Sequence, residues 1–148
     1  MEKNTLGNSG IDVSCLGMGT MTYGEQNTES EAFAQLDCAI DHGINLIDTA
    51  EMYPVPPQKK TFTRTEQIIG NWIQSRKCRQ NIVLATKVIG PTLESRAMGS
   101  YIRDGINHLS RKNIESALEG SLRRLNTETI DIYQIHWPDR IVNIFGQQ

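Results

Sequence analysis

The sequence is poor in cysteine, in aromatic residues and in long apolar runs. Three cysteines, Cys15, Cys38 and Cys78, occur among 148 residues. They are odd in number and form neither a CxxC pair nor a Cys/His cluster with zinc spacing. This argues against a disulfide scaffold and a zinc module, and leads us to expect free thiols in a reducing compartment. His42, His108 and His136 are too scattered for a local metal site. Aromatic residues make up 6% of the chain, and 15 basic against 17 acidic side chains leave a net charge of -2. No basic surface for nucleic acid and no polybasic membrane patch follow from that balance. No apolar run approaches the roughly 20 residues that span a bilayer. The start, from Met1 to Asn8, lacks the apolar core of a signal peptide. The expectation is a cytoplasmic chain, one domain long, with neither nucleic acid nor membrane as partner.

What is present alternates. Thr5-Leu6 and Ile11 to Ser14 flank the turn formers Gly7-Asn8-Ser9-Gly10, which predicts a hairpin. Cys15 to Thr20 reads as a short buried strand. Thr28-Glu29-Ser30-Glu31 fits a capping box; Phe33, Leu36, Ala39 and Ile40 follow at helical spacing, and Gly43 supplies a left-handed stop. Ile44 to Ile47 is a strand ending at Asp48. Thr63-Arg64-Thr65-Glu66 predicts a second capping box before a helix bearing Ile68, Ile69, Trp72 and Ile73. Ile82 to Ala85 is a continuous apolar run, suited to a parallel strand buried on both faces, ending in Thr86-Lys87. Residues 88–109 form a long polar loop with Arg96 and Arg103, a length that marks loops with a function or with mobility. Ser110 caps a third helix whose inner stripe is Ile114, Ala117, Leu118, Ser121, Leu122 and Leu125. Glu119 and Arg123 can pair on its polar side, and Asn126 can end it. Ile130 to Ile135 then leads to His136.

Strict strand–helix alternation predicts parallel strands with helical crossovers, hence a strand–helix barrel or an open doubly wound sheet. Gly17-Met18-Gly19 lacks the third glycine of a dinucleotide fingerprint, and no GxxxxGK[ST] occurs, which disfavours the open nucleotide-binding sheet.

Three polar residues, Asp48, Lys87 and His136, each close an apolar strand at its C-terminal end. In an α/β fold they share one rim, where ligands bind. Tyr53 lies on the loop leaving the Asp48 strand. Singly each has a plain structural reading: a turn residue, a loop aromatic, a lysine reaching solvent, a core histidine. Together they form a set for carbonyl reduction. A phenol with an ordinary pKa near 10 is a weak acid at neutral pH, and a neighbouring ammonium lowers it. A carboxylate holds the ammonium, and a neutral imidazole orients a carbonyl.

At these residues the chain resembles the aldo-keto reductases. The matching stretches are Asn45 to Tyr53, Ile82 to Lys87 and Ile130 to Pro138. The opening Leu16 to Gly24 and the helix start Leu109 to Ile114 also fit. Tyr53 to Pro57 and Trp137 to Arg140 are similar to a bacterial NADP-dependent branch, itself similar to potassium-channel β-subunits. The resemblance implies a (β/α)8 barrel and hydride transfer from NADPH to a small aldehyde or ketone. Tyr53 would be the general acid, Lys87 would lower its pKa, Asp48 would hold Lys87, and His136 would orient the carbonyl. Thr20, Met21, Asp48 and, more weakly, Gln26 would lie at the nicotinamide ribose. The hairpin would plug the barrel bottom, and the 88–109 loop would lie at the active-site mouth.

A barrel of this kind takes roughly 250 residues. The expectation is therefore the N-terminal half of one over residues 1–148: a hairpin, about four strands and three helices. It would have exposed edges, possible self-association through them, and an incomplete cofactor grip. The stretch from Ile141 to Gln148 reads as the start of a loop, and the isolated chain is expected to have little or no reductase activity. The alternative is a noncatalytic interaction module resembling a channel β-subunit.

Overall fold

The computed structural model describes residues 1–91 and 100–140. Arg96, the stretch 92–99 and the final residues 141–148 lie outside the described residues. The elements run β1 (Lys3–Thr5), β2 (Asp12–Ser14), β3 (Gly17–Gly19), α1 (Glu29–Asp41), β4 (Leu46–Asp48), α2 (Arg64–Arg76), β5 (Val83–Val88), α3 (Arg111–Leu125) and β6 (Ile132–Ile135).

β1 and β2 form the expected antiparallel hairpin, with Lys3 opposite Ser14 and Thr5 opposite Asp12. Gly7 and Gly10 both take positive φ in its turn, 54° and 74°, which a glycine adopts without a Cβ penalty. The hairpin is tied to Asn45, just before β4. Asn45 Oδ1 accepts from the Ser14 N–H at 2.7 Å, and its Nδ2 donates to the Asp12 carbonyl at 2.9 Å. The hairpin therefore sits at the N-terminal end of the strands, opposite the rim.

The four remaining strands make one parallel sheet in the order β3-β4-β5-β6. Spatial order equals chain order. A doubly wound sheet must reverse direction at a switch point; a barrel never does. The sheet order thus resolves what alternation left open, in favour of the barrel. Met18, Ile47 and Leu84 stand in register on the helix-facing side. There they pack with Leu36, Ile68, Ile69, Trp72 and Leu125. A fully buried Leu or Ile contributes about 1.5–3 kcal/mol, so this cluster is the main contributor to the stability of the sheet and its helices.

β5 is buried at five of its six positions, as its apolar run predicts, because β4 and β6 flank it. β3 differs from the expectation of a buried strand. Gly17 and Gly19 are exposed and Met18 is half-buried, since β3 is an edge of the sheet.

The capping box of α1 forms in full. Thr28 Oγ1 accepts from the Glu31 N–H, and the Glu31 carboxylate accepts from the Thr28 N–H. The second predicted box does not form. Thr63 takes a left-handed φ of 68° and makes no side-chain cap bond. Its hydroxyl instead accepts from Gln67 Nε2 at 3.1 Å. Glu66 turns inward and is fully buried, accepting from Thr86 Oγ1 and from Arg124 Nε, each at 2.7 Å. A half-buried guanidinium and a buried hydroxyl outcompete exposed backbone amides for a carboxylate, because charge-assisted bonds strengthen away from water.

Ser110 caps α3 and Asn126 ends it in the left-handed region, as read from the sequence. The inner stripe is shifted, however. Asn113, Ala117, Gly120, Ser121 and Leu125 are buried, while Ile114, Leu118 and Leu122 are half-buried. At the helix start Asn113 turns in to donate to the Ile106 and His108 carbonyls, and further along the cause is close packing on α2. A Cβ at Gly70 would run into the Arg124 carbonyl and the Leu125 backbone, and one at Gly120 would crowd the Arg124 guanidinium. Gly70 lets α2 approach the C-terminal end of α3, while Gly120 leaves room for the Arg124 side chain of its own helix to reach Glu66. Glu119 and Arg123 do pair, at 3.9 Å and well exposed, a geometry contributing little.

Candidate active site

Side chains alternate along a strand, so every second residue shares a face. Asp48 is in register with Ala85, which places Lys87, two residues on, on the same face of the sheet. Lys87 is in register with Gln134 of β6. The three side chains converge. Lys87 Nζ donates to Asp48 Oδ2 at 2.7 Å and to the Thr49 carbonyl at 2.8 Å. Gln134 Nε2 donates to Asp48 Oδ1 at 3.2 Å. Asp48 is thereby held from two sides.

The loop after β4 carries Tyr53 back over this pair. Lys87 Nζ lies 5.1 Å from the Tyr53 ring centroid, within cation–π range. His136 follows β6 and is anchored by its N–H to the Val88 carbonyl at 3.0 Å. Its ring meets Tyr53 edge-on, with centroids 5.6 Å apart at 81°, and leans on Trp137 at 5.0 Å. Asp48, Tyr53, Lys87 and His136, from three separate stretches of the chain, thus meet on one rim.

Burial holds the His136 imidazole down to about pKa 4, with the Lys87 charge adding to the effect and Asp48 opposing it. The ring is neutral at pH 7. Its Nδ1 is buried and has no hydrogen-bond partner among the described residues. The Tyr53 phenol is shifted the other way from the His136 imidazole. Burial, with the Asp48 charge behind it, pushes Tyr53 up from its ordinary value. The ammonium is neutralised by a carboxylate 2.7 Å away and sits over the ring. Tyr53 is therefore a protonated phenol at neutral pH.

Thr20 is fully buried, and its hydroxyl donates to the Asp48 carbonyl at 2.8 Å. Gln26 Nε2 donates to the Val55 carbonyl at 2.9 Å, and the Met21 carbonyl accepts from the Val55 N–H at 2.7 Å. Thr20 braces the end of β4, while Gln26 and the Met21 backbone brace the loop beyond Tyr53. The Met21 side chain remains exposed. Gly19 is in register with Asp48, and a Cβ there would meet nothing within 4 Å, so the space beside Asp48 is open. Among the described residues no three His, Cys, Asp or Glu side chains come together as a metal site. No helix there is long and apolar enough to cross a membrane.

Several contributors carried no clear signal in the sequence. Gln134 is one polar residue in an apolar strand, and its role follows only from register with Lys87. Arg103 reads as a solvated loop residue, yet it forms an ion pair with Glu51, whose carboxylate is nearly fully buried. Trp137 donates its indole N–H to the Pro91 carbonyl at 2.9 Å and so sets the wall behind His136.

A parallel strand–helix sheet in chain order, with a Tyr, Lys, Asp and His cluster on its C-terminal rim, defines a strand–helix fold of the barrel class. The profile of the Aldo/keto reductase family matches residues 15–147, and the chain belongs to that family. It is 50% identical over 147 residues to "Protein tas" of Escherichia coli, covering 99% of this chain and 41% of the relative. It is 34% identical to "Aldo-keto reductase YhdN" of Bacillus subtilis, covering 97% and 40%. Among solved structures, a holo-form aldo-keto reductase from Bacillus halodurans superposes with a TM-score of 0.71 at 35% identity, covering 91% of this chain and 40% of that one. An aldo/keto reductase from Klebsiella pneumoniae, in complex with NADP and acetate, gives 0.60 at 33%, covering 86% and 36%. The chain thus spans about two fifths of the length of these relatives.

Proposed function

We propose that this chain carries the proton-transfer half of an NADP(H)-dependent carbonyl reductase acting on a small aldehyde or ketone in the cytoplasm. The observation that carries the reading is Lys87 Nζ, bonded to Asp48 at 2.7 Å and set over the Tyr53 ring, with the neutral His136 edge-on to the same ring. When bound, the nicotinamide supplies hydride to the carbonyl carbon. Tyr53 keeps its proton until the carbonyl oxygen gains charge, then donates it. Lys87, fixed by Asp48 and Thr49, stabilises the phenolate left behind. A neutral His136 donates an N–H to the carbonyl oxygen and orients it. The open space beside Gly19 and Asp48 fits the nicotinamide ribose, which the Asp48 carboxylate and the exposed Met21 side chain would hold. Thr20 and Gln26 act behind them. NADP rather than NAD is carried over from the Klebsiella pneumoniae complex, and the three free thiols suit a reducing cytoplasm.

The test is a chimera in which residues 1–148 replace the corresponding part of the Escherichia coli relative. It is expected to oxidise NADPH with an aldehyde. Tyr53→Phe should lower turnover by about 10²–10⁴-fold, the usual worth of a general acid. Lys87→Met should lose turnover yet still bind cofactor. A Tyr53→Phe chimera as fast as its parent removes Tyr53 as the acid. In the same reading the 148 residues alone turn over slowly or not at all. They span 41% of the relative's length, and β3 and β6 each keep one unpaired edge among the described residues. Fast NADPH oxidation by the purified chain overturns that part.

A further inference from the structure

The ion pair between Glu51 and Arg103 is not used by the chemistry above, and its placement is unusual. Glu51 lies two residues before Tyr53, nearly fully buried. Its N–H donates to the Lys87 carbonyl at 3.1 Å, and its Oε2 accepts from the Ile89 N–H at 3.1 Å. Both contacts grip β5 where it delivers Lys87. The same carboxylate accepts from both terminal nitrogens of Arg103, on the far side of the long loop. Next to Arg103, Ile102 is buried in one cluster with Ala50, Met52, Ile89 and Trp137, against which Tyr53, Phe62 and Tyr101 pack. Tyr101 meets Phe62 edge-on at 5.4 Å.

The backbone adds an independent observation. Arg103, Asp104 and Gly105 take φ of 47°, 55° and 79° in succession. Two of these are not glycine. The left-handed region is costly for such residues and persists where surrounding contacts over-determine it. The contacts that do so here are the buried carboxylate and the Ile102 cluster.

We propose that Glu51 and Arg103 form a positioning latch, which clamps segment 100–105 onto the rim and thereby fixes the Tyr53–His136–Trp137 wall beside Lys87. This deepens the reading of the rim as a reductase site and rests on it. Neither residue touches the reacting atoms. Glu51 acts through the ends of β4 and β5, and Arg103 through the apolar cluster that keeps water from His136. Without Arg103 the buried carboxylate loses its counter-charge and must draw in water, which lifts the segment away.

The test uses the 148-residue chain and needs no turnover, so it can fail while carbonyl reduction stands, and the reverse. The His136 ring is followed by NMR through a pH titration, facing Lys87, Asp48 and Tyr53. Its midpoint in the unmodified chain is expected at about 4. In Arg103→Gln, folded by circular dichroism, the midpoint should rise toward the ordinary histidine value as water enters. Exchange of the Ile89 amide should accelerate, and Arg103→Lys should restore part of both. A lower melting temperature with both readouts unmoved reduces the pair to a structural contact and overturns the latch. If Arg103→Gln does not fold, the double variant Glu51→Gln/Arg103→Gln, which buries no lone charge, takes the same two readouts. If neither folds, the unmodified chain decides. An Ile89 amide exchanging as slowly as the β5 core supports the latch, and one exchanging at the rate of the loop overturns it.

Discussion

Gly90 touches the site through space that a single methyl group would fill. A Cβ there would lie 2.5 Å from the Trp137 indole Cδ1 and Nε1 and 2.6 Å from the Trp137 carbonyl oxygen. Two effects oppose each other in Gly90→Ala. The backbone at 90 lies outside the left-handed region, so alanine is allowed and restricts the unfolded chain, a gain of about 0.4–1 kcal/mol. Against it stands overpacking, about 1–3 kcal/mol when neighbours can yield. The indole could rotate, but the carbonyl oxygen belongs to the backbone leaving β6 and cannot. Relief therefore requires the exits of β5 and β6 to part, and overpacking wins at its upper end. The expected net loss is about 2 kcal/mol, or roughly 4–8 °C in melting temperature for a chain of this size. Trp137 is 9% exposed and Trp72 1%, so the emission of Trp137 should shift red while the deeper Trp72, bonded to Asp37, stays as it was. Thermal melting with intrinsic fluorescence reads both. A melting temperature equal to or above that of the parent, with unchanged emission, would refute the close approach of residue 90 to the His136–Trp137 wall.

Two further outcomes follow from buried charge. His136 is held at about pKa 4 when folded, against an ordinary value near 6.5 in the unfolded chain, so the unfolded chain binds the proton first. Its contribution is complete above about pH 6.5, falls as pH drops to about 4 and is flat below, a loss on the order of 3 kcal/mol. Denaturant midpoints between pH 7 and 4 should show that slope, and His136→Phe should remove most of it; an identical slope in the variant refutes the account. Arg124→Met would strand the fully buried Glu66 carboxylate with Thr86 as its remaining partner. The expected cost is about 3–5 kcal/mol by chemical denaturation, and a loss below about 1 kcal/mol would show the pair to be dispensable.

Local patterns were legible in the residues themselves. Apolar periodicity located α1, α2 and α3, turn chemistry marked the hairpin, and the hydroxyls of Thr28 and Ser110 announced their caps. The four polar residues closing strands or following them were legible for the same reason: a polar side chain at the end of an apolar run marks where the strand leaves the core for the rim. What pattern could not supply is which neighbour competes for a group. Thr63 and Glu66 have the spacing of a capping box, but spacing says nothing of Arg124 and Thr86, which arrive from other elements and take the carboxylate inward. The α3 stripe differs at Asn113, whose amide turns in to the Ile106 and His108 carbonyls, and near its C-terminal end, where the approach of Gly70 to Arg124 and Leu125 exists only between helices. The exposure of β3 follows from its place at the sheet edge, not from its composition.

The sequence by itself determined the alternation of strand and helix and the placing of Asp48, Tyr53, Lys87 and His136 at the ends of strands or just beyond them. These depend on residue type and near-neighbour spacing, which a chain carries with it. Only the tertiary structure decided the barrel order of the sheet, the raised pKa of Tyr53 and lowered pKa of His136, the reach of Gln134 to Asp48 and the pairing of Arg103 with the buried Glu51. Each of these is set by distance and desolvation between segments far apart in the chain, and neither quantity exists until the chain has folded.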